Sequence, residues 1–336
     1  ILLLFFFVAL LEDSGYMARA AFIMDRIMGV VGLPGKAFIP FLSSFACAIP
    51  GVMGTRTIEN ARDRLVAILV APLMCCSARW PVYFLLAAAV IPNQRVLGFI
   101  PLPALVIFMM VFLGIVAAIG MAGLFKRVLL RSESSSLVME LPPYRVPKIK
   151  QLLHVILERG LLFIKKAGTV ILAMTILLWA LSNYPRNPGL SPDQQIHQSV
   201  AGHIGRIIEP VIAPLGFDWR IGIAIVSSFA AREVFVSTMG TVYGVNVSDP
   251  HKTADLQFHM QKERDPITGR PYFTPLRAVS IMVFFVLSMQ CVSTVIVVRR
   301  ETNSWKWALF QWAYMTGLAW IACFIVWQGG NRLGWG

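Results

Sequence analysis

Between Ala37 and Met53 the chain is apolar enough to lie in a membrane, yet it carries Pro40, Pro50 and Gly51, with Gly54 just beyond and Cys47 between the prolines. A proline inside a helix gives no amide hydrogen to the carbonyl four residues earlier and strains the preceding turn. In hydrocarbon such freed groups persist only where protein, a water-filled cavity or a bound ion satisfies them. The stretch therefore predicts a broken or re-entrant helix at membrane depth with a sulfur at the break. Transporters build cation sites from this kind of unwound backbone.

The rest of the composition points to a bilayer. Of 336 residues, 57% are hydrophobic and 14% charged, against about a quarter charged in soluble domains. Several segments reach the roughly 17–25 apolar residues that cross a bilayer, so a soluble enzyme is excluded. A net charge of +13 would suggest nucleic acid in a soluble protein. Here Lys and Arg flank apolar spans, as the positive-inside bias requires, and no basic and aromatic platform for nucleic acid is visible. The five cysteines (Cys47, Cys75, Cys76, Cys291, Cys323) all lie in apolar segments, which leaves packing or metal ligation rather than a disulfide framework. The histidines lack the HEXXH spacing of metalloproteases, and GLPGKAF at 32–38 lacks the spacing of a phosphate-binding P-loop.

Read in order, Ile1 to Leu11 is the end of a span running into Glu12 and Asp13, with no initiator Met and no signal-peptide n-region, so the sequence reads as a fragment. Leu11 to Met28 is expected to be an amphipathic surface helix. Thr55 to Arg64 reads as a cytoplasmic linker, followed by spans at Leu65 to Ile91 and Val96 to Phe125. Lys126 to Lys166 holds nine basic residues against three acidic ones, which places it in the cytoplasm. Its prolines, Pro142, Pro143 and Pro147, suit an extended strap. A span ends at Leu181, and Asn183 to Asp218 reads as a periplasmic loop. Trp219 to Tyr243 is a second apolar stretch, broken by Arg232 and Glu233. Asn246 to Pro275 is a hydrophilic insertion, and spans follow at Leu276 to Val298 and Trp305 to Trp327.

If Trp219 to Tyr243 crossed fully, Arg299, Arg300 and Lys306 would fall outside, against the positive-inside bias. A re-entrant hairpin is expected instead. The fold class is then all-α and polytopic, with two inverted repeats at 1–95 and 158–304, a connecting segment at 96–157 and a final span at 305–336.

Candidate ligands follow from the breaks. Cys47, Cys76 and Cys291 offer thiolates beside unwound backbone, a setting that suits a borderline divalent cation. Glu233 and Arg232 form an ionisable pair at membrane depth, where a charge costs about 2.5–3.5 kcal/mol and so marks a functional position. Glu233 is the expected ligand or gate and Arg232 its counter-charge. Glu12, Asp13, Met53 and Gln290 are weaker candidates.

Several runs carry a resemblance. Gly32 to Lys36 (GLPGK), Cys47 to Pro50, and Pro72, Met74, Cys76, Ala78 and Arg79 resemble the first Gate segment of the FeoB family of ferrous-iron transporters. LEDSGYMARAAF (11–22) and VVRRETNSWKWALF (297–310) also resemble that family, and ELPPYRVPKIKQLL (140–153) resembles its segment between the two Gate regions. Phe229, Ala231 and Glu233 fit the family's Phe-x-Ala-Lys-Glu, with Arg232 in place of Lys. Two departures matter. Ser44-Phe45-Ala46-Cys47 replaces Gly-Phe-Gly-Cys, and Gln290-Cys291 replaces a Pro-Cys pair, so a weaker break is expected there.

The resemblance implies two Gate-like repeats in a multi-pass protein of the bacterial inner membrane. It implies Fe²⁺ as substrate, passing along Cys47, Cys76, Glu233 and Cys291, and no cofactor bound in this chain. GTP and Mg²⁺ would act through a GTP-binding domain that precedes this point in the family. Implied partners are the lipid bilayer, that domain, a small FeoA-like cytoplasmic protein and further copies of the chain, but no nucleic acid. The competing readings are a Gate permease for a nucleoside or other small solute, and a non-transporting membrane remnant.

Overall fold

The computed structural model describes residues 2–92, 94–96, 100–129, 199–243, 253–264, 269 and 271–334, with isolated positions between 144 and 181. The expected strap at 140–153 and the span ending at Leu181 lie largely outside these residues. The described chain is helical apart from a two-residue antiparallel pairing of β1 (Arg95–Val96) with β2 (Ile100–Pro101) and an isolated bridge between Arg264 and Pro271. That β pair replaces the first turn of the span expected from Val96. The helix starts at Leu102 instead, since Pro103 is tolerated in a first turn, where its missing N–H has no intrahelical partner to lose.

Among the described residues, four stretches are long and apolar enough to cross a bilayer: Ala61–Val90, Leu102–Leu129, Pro275–Thr302 and Trp305–Arg332. Two sharply bent helix pairs, at 103° and 107°, bring the number to as many as six. The chain divides into two compact units: Ile1–Ser77, Leu113–Val170 and Ser293–Trp312 form one, and Ala78–Phe112, Ile171–Val292 and Ala313–Gly336 the other.

In the first unit α1 (Leu2–Asp13) and α2 (Tyr16–Val31) are separated by Gly15, whose φ of 79° is strained for any residue with a side chain. The helix expected at 11–28 is thus shifted to Tyr16–Val31. It ends at Gly32, φ 80°, whose N–H bonds back to the carbonyls of Gly29 and Met28. The GLPGK run is a structural corner: the Asp25 carboxylate accepts the Gly35 N–H at 2.7 Å, and a β-carbon at Gly35 would sit 2.8 Å from Asp25 Cβ.

Next, α3 (Phe38–Ala46) and α4 (Ala48–Gly54) meet at Cys47, which alone is extended at φ −153°, ψ 135°. The two helices fold back on each other. A β-carbon on Gly54 would lie 3.8 Å from Pro40 Cα, whereas one straight helix would hold residues 40 and 54 about 21 Å apart. The two ends of the hairpin are joined by the Lys36–Glu59 ion pair at 2.7 Å. A re-entrant hairpin requires this geometry, with entry and exit on the same side.

Close approach at Gly51 makes the fold-back possible. A β-carbon there would overlap the Ser44 side chain and lie 2.8 Å from the Pro40 carbonyl oxygen. Gly51→Ala should therefore destabilise the protein by about 1–3 kcal/mol through overpacking. Thermal unfolding in detergent, compared with Gly54→Ala where contacts are ordinary, would measure it.

The first unit continues through α5 (Ala61–Val70), begun by the Asn60 side chain accepting the Arg62 N–H. Its charges gather with those of α13 (Val292–Thr302) and α7 (Leu102–Leu124, with a π turn at Phe125–Leu129). Arg56 and Arg64 both donate to the buried Glu301 carboxylate, and Lys126 pairs with the fully buried Asp63.

In the second unit α6 (Trp80–Val90), α8 (Val200–Ile212), α9 (Trp219–Ser227), α10 (Val234–Val242), α11 (Thr253–Lys262) and α12 (Pro275–Leu287) come together. Here α9 and α10 form the second hairpin: Val242 packs on Ile223 with Trp219 beside them. Arg220 and Tyr243, at the hairpin's two ends, both donate to Glu263. Within the expected insertion at Asn246–Pro275, α11 is tied to α6 by Gln261 Nε2 donating to the Ala89 carbonyl at 2.9 Å. Burial holds the Glu263 carboxyl above its ordinary value, while its bonds to Tyr243 and Arg220 pull the other way.

The element order repeats. Hairpin α3/α4 is followed by the interrupted helix α5/α6, and hairpin α9/α10 by the interrupted helix α12/α13. The long α14 (Trp305–Arg332) closes the chain.

Candidate functional site

Four interruptions carry the candidate residues: Cys47; Met74 to Cys76 between α5 and α6; Ser228 to Glu233 between α9 and α10; and Ser288 to Cys291 between α12 and α13. Each leaves carbonyls without helical donors, and at each the protein supplies one.

At the first, Pro50 has no N–H for the Ala46 carbonyl, which accepts instead from Ser77 Oγ at 2.8 Å. Ser77 directly follows Cys76, so the backbone of the two thiol positions, Cys47 and Cys76, is stitched together. Cys47 is partly exposed and Cys76 buried. At the second interruption Pro72 deprives the Ile68 carbonyl, and Gln311 Nε2 donates to Ile68 O at 2.8 Å and to Leu69 O at 2.7 Å.

The second unit repeats the first stitch. The Phe229 carbonyl at the hairpin tip accepts from the N–H of Val292, the residue after Cys291, at 3.0 Å. This holds the segment bearing Glu233 against the segment bearing Cys291. The break beside Cys291 is complete despite the missing proline. α12 ends with Ser288 extended at ψ 150°, and helix resumes only at Val292. The weaker break expected from Gln290 does not occur, because Arg232 holds it open. Its guanidinium, 4% exposed, donates from Nη1 to Phe285 O at 3.3 Å and from Nη2 to Ser288 O at 3.2 Å.

That contact corrects the expected role of Arg232 as counter-charge to Glu233. The arginine turns into the protein toward carbonyls at a helix C-terminus, where a cation is favoured. Glu233 is exposed and, among the described residues, makes no ion pair.

The candidates thus fall into two pairs, Cys47 with Cys76 in one unit and Glu233 with Cys291 in the other. Among the described residues no three of His, Cys, Asp and Glu are grouped closely enough to hold a metal ion. Of the weaker candidates, Asp13 is exposed at the end of α1 and Met53 is half-buried in α4. The Glu12 side chain lies outside the described residues. Gln290 is 4% exposed. Cys323 is buried in α14 with its thiol donating to the Ser280 carbonyl at 3.1 Å, a packing position.

Five polar residues were not among the candidate site residues: Gln311, Ser77, Asp63 with its partner Lys126, and the wholly buried Arg79. A polar side chain inside an apolar span is the signal that marks Gln311 and Arg79. Ser77 and Asp63 carry no such signal, since their partners are distant in sequence.

Comparison with known proteins decides the family. The Gate family model, described as nucleoside recognition, matches residues 1–90 and 164–305. The chain belongs to the Gate family. A second model, the C terminus of ferrous iron transport protein B, matches residues 107–159 between the two Gate portions. The chain is 48% identical to a protein of Leptospira interrogans named Fe(2+) transporter FeoB, over 97% of this chain and 47% of that protein. It is 43% identical to the namesake in Leptospira biflexa, over 99% and 48%. It is 40% identical to a Porphyromonas gingivalis fusion of an Fe(2+) transport protein A with an Fe(2+) transporter FeoB, over 98% and 42%. The Gate chain thus spans about half the length of these relatives. No solved structure matches it.

Proposed function

We propose that this Gate chain is the permease portion of a ferrous-iron importer in a bacterial inner membrane, gated by a GTP-binding domain of the complete protein. Fe²⁺ is the substrate and passes along Cys47, Cys76, Glu233 and Cys291. The observation that carries this reading is the position of the three cysteines and the glutamate: each stands at or beside a helix interruption whose backbone is held open by another part of the protein. A thiolate or carboxylate next to unwound backbone offers a transient, mixed donor set to a borderline cation, and discontinuous helices are where transporters put such sites. The relatives named as Fe(2+) transporters support the choice of ion, and the fusion protein supports a small FeoA-like cytoplasmic partner.

Uptake of radioactive iron in a strain lacking its own ferrous-iron uptake tests this. The gene, expressed in its native reading frame, should restore uptake, and Cys47→Ser with Cys291→Ser should reduce it about tenfold or more, the scale on which metal-site substitutions act. Unchanged uptake in the double variant would remove the thiols from the path. The description of the Gate family as nucleoside recognition favours a second reading, a nucleoside permease. Restored uptake of a labelled nucleoside, with none of iron, would establish that reading in place of the first.

A further inference from the structure

The break between α12 and α13 holds an unusual concentration of unpartnered polar atoms. Gln290 is 4% exposed and Ser288 1% exposed, yet among the described residues neither Oε1 nor Nε2 of Gln290, nor Oγ of Ser288, has a hydrogen-bond partner. Buried polar groups are almost always paired, and leaving one unpaired is costly. The backbone of the same segment is well provided for. Arg232 takes the Phe285 and Ser288 carbonyls, the Ser288 N–H bonds the Phe284 carbonyl at 2.8 Å, and the Val292 N–H bonds Phe229. What is left over is side chain, and it belongs to the residues that lead into Cys291 in the same non-helical break, where Cys291 is itself partly exposed.

We infer that Gln290 and Ser288 are specificity-determining residues, their oxygens joining the Cys291 sulfur as a mixed donor set for a divalent cation in transit. The inference rests on the metal-permease reading above and names what selects the ion at that site. An amide oxygen and a hydroxyl suit hard ions such as Mg²⁺, and a thiolate suits soft ones. A set holding both fits a borderline ion such as Fe²⁺ better than either extreme. With Oε1 turned to the ion, Nε2 is left to donate to a water outside the inner shell. The fixed charge of Arg232 on the neighbouring carbonyls keeps the ion from binding tightly, as passage requires.

The substitution Gln290→Leu separates this role from a structural one. It keeps the approximate volume and removes two unpaired buried groups, so a residue that merely packs predicts an apparent Tm at or above that of the parent and unaltered transport. The inference predicts the same or higher Tm together with iron uptake about tenfold lower and loss of the protection that Fe²⁺, supplied anaerobically, gives Cys291 against alkylation. Gln290→Met, which exchanges the amide for a thioether, should lower iron uptake less than Gln290→Leu does and become inhibited by Cd²⁺ at lower concentration than the parent. Parental uptake, Cys291 protection and Cd²⁺ sensitivity in both variants would overturn the inference while leaving the iron reading intact. Absence of iron uptake by the parent would instead overturn the reading on which it rests.

Discussion

Replacing Lys126 by methionine should destabilise the protein by about 3–5 kcal/mol, because it leaves the Asp63 carboxylate buried with its main counter-charge gone. Asp63 is fully enclosed in the first turn of α5, and the Lys126 side chain is only 8% exposed. The Lys126 stem also packs over Gly32, where an added β-carbon would lie 2.9 Å from its Cγ, so methionine keeps most of the apolar contact. The loss is therefore electrostatic. A buried pair replaced on both sides by apolar residues of similar size is often neutral or better, so Asp63→Leu combined with Lys126→Met should recover most of the loss. Thermal unfolding of the two single variants and the double variant in detergent makes a complete cycle. If the two single losses simply add in the double variant, the pair is not the cause.

Arg232→Met should cost about 2–6 kcal/mol, since it strips the donors from two buried carbonyls, Phe285 and Ser288, each worth about 1–3 kcal/mol when left unpaired. Arg232→Lys keeps the charge and a donor but cannot span both carbonyls in one plane, so it should fall between. Glu233→Gln discriminates this account from an Arg–Glu pair. If Arg232 serves the carbonyls, neutralising Glu233 leaves thermal stability nearly unchanged. A loss from Glu233→Gln as large as that from Arg232→Met would restore the counter-charge role.

These two sites show how far the sequence reaches. Pro40, Pro50 and Gly51 mark the first hairpin because proline and glycine act on their own backbone, whatever surrounds them. The positive-inside argument foresaw the second hairpin, since charge beside a span is likewise a local property, and the structure folds α9 back on α10. The break at Ser288 to Cys291 was underestimated for the converse reason. Without a proline it depends on Arg232, 53 residues from Phe285 in sequence. Gln311 serving Ile68 across 243 residues, and Lys126 pairing with Asp63 across 63, are likewise invisible to local pattern.

The amino-acid order alone determined that this is a helical membrane chain, that proline and glycine must break it around Cys47, and which sulfurs and carboxylate are its candidate ligands, because apolar length and missing amide hydrogens act residue by residue. Only the tertiary structure decided what each failure is bound to: Ser77 on Ala46, Val292 on Phe229, Arg232 on Phe285 and Ser288. In hydrocarbon a freed carbonyl must find a donor, but chain geometry, not local sequence, selects which one comes within reach.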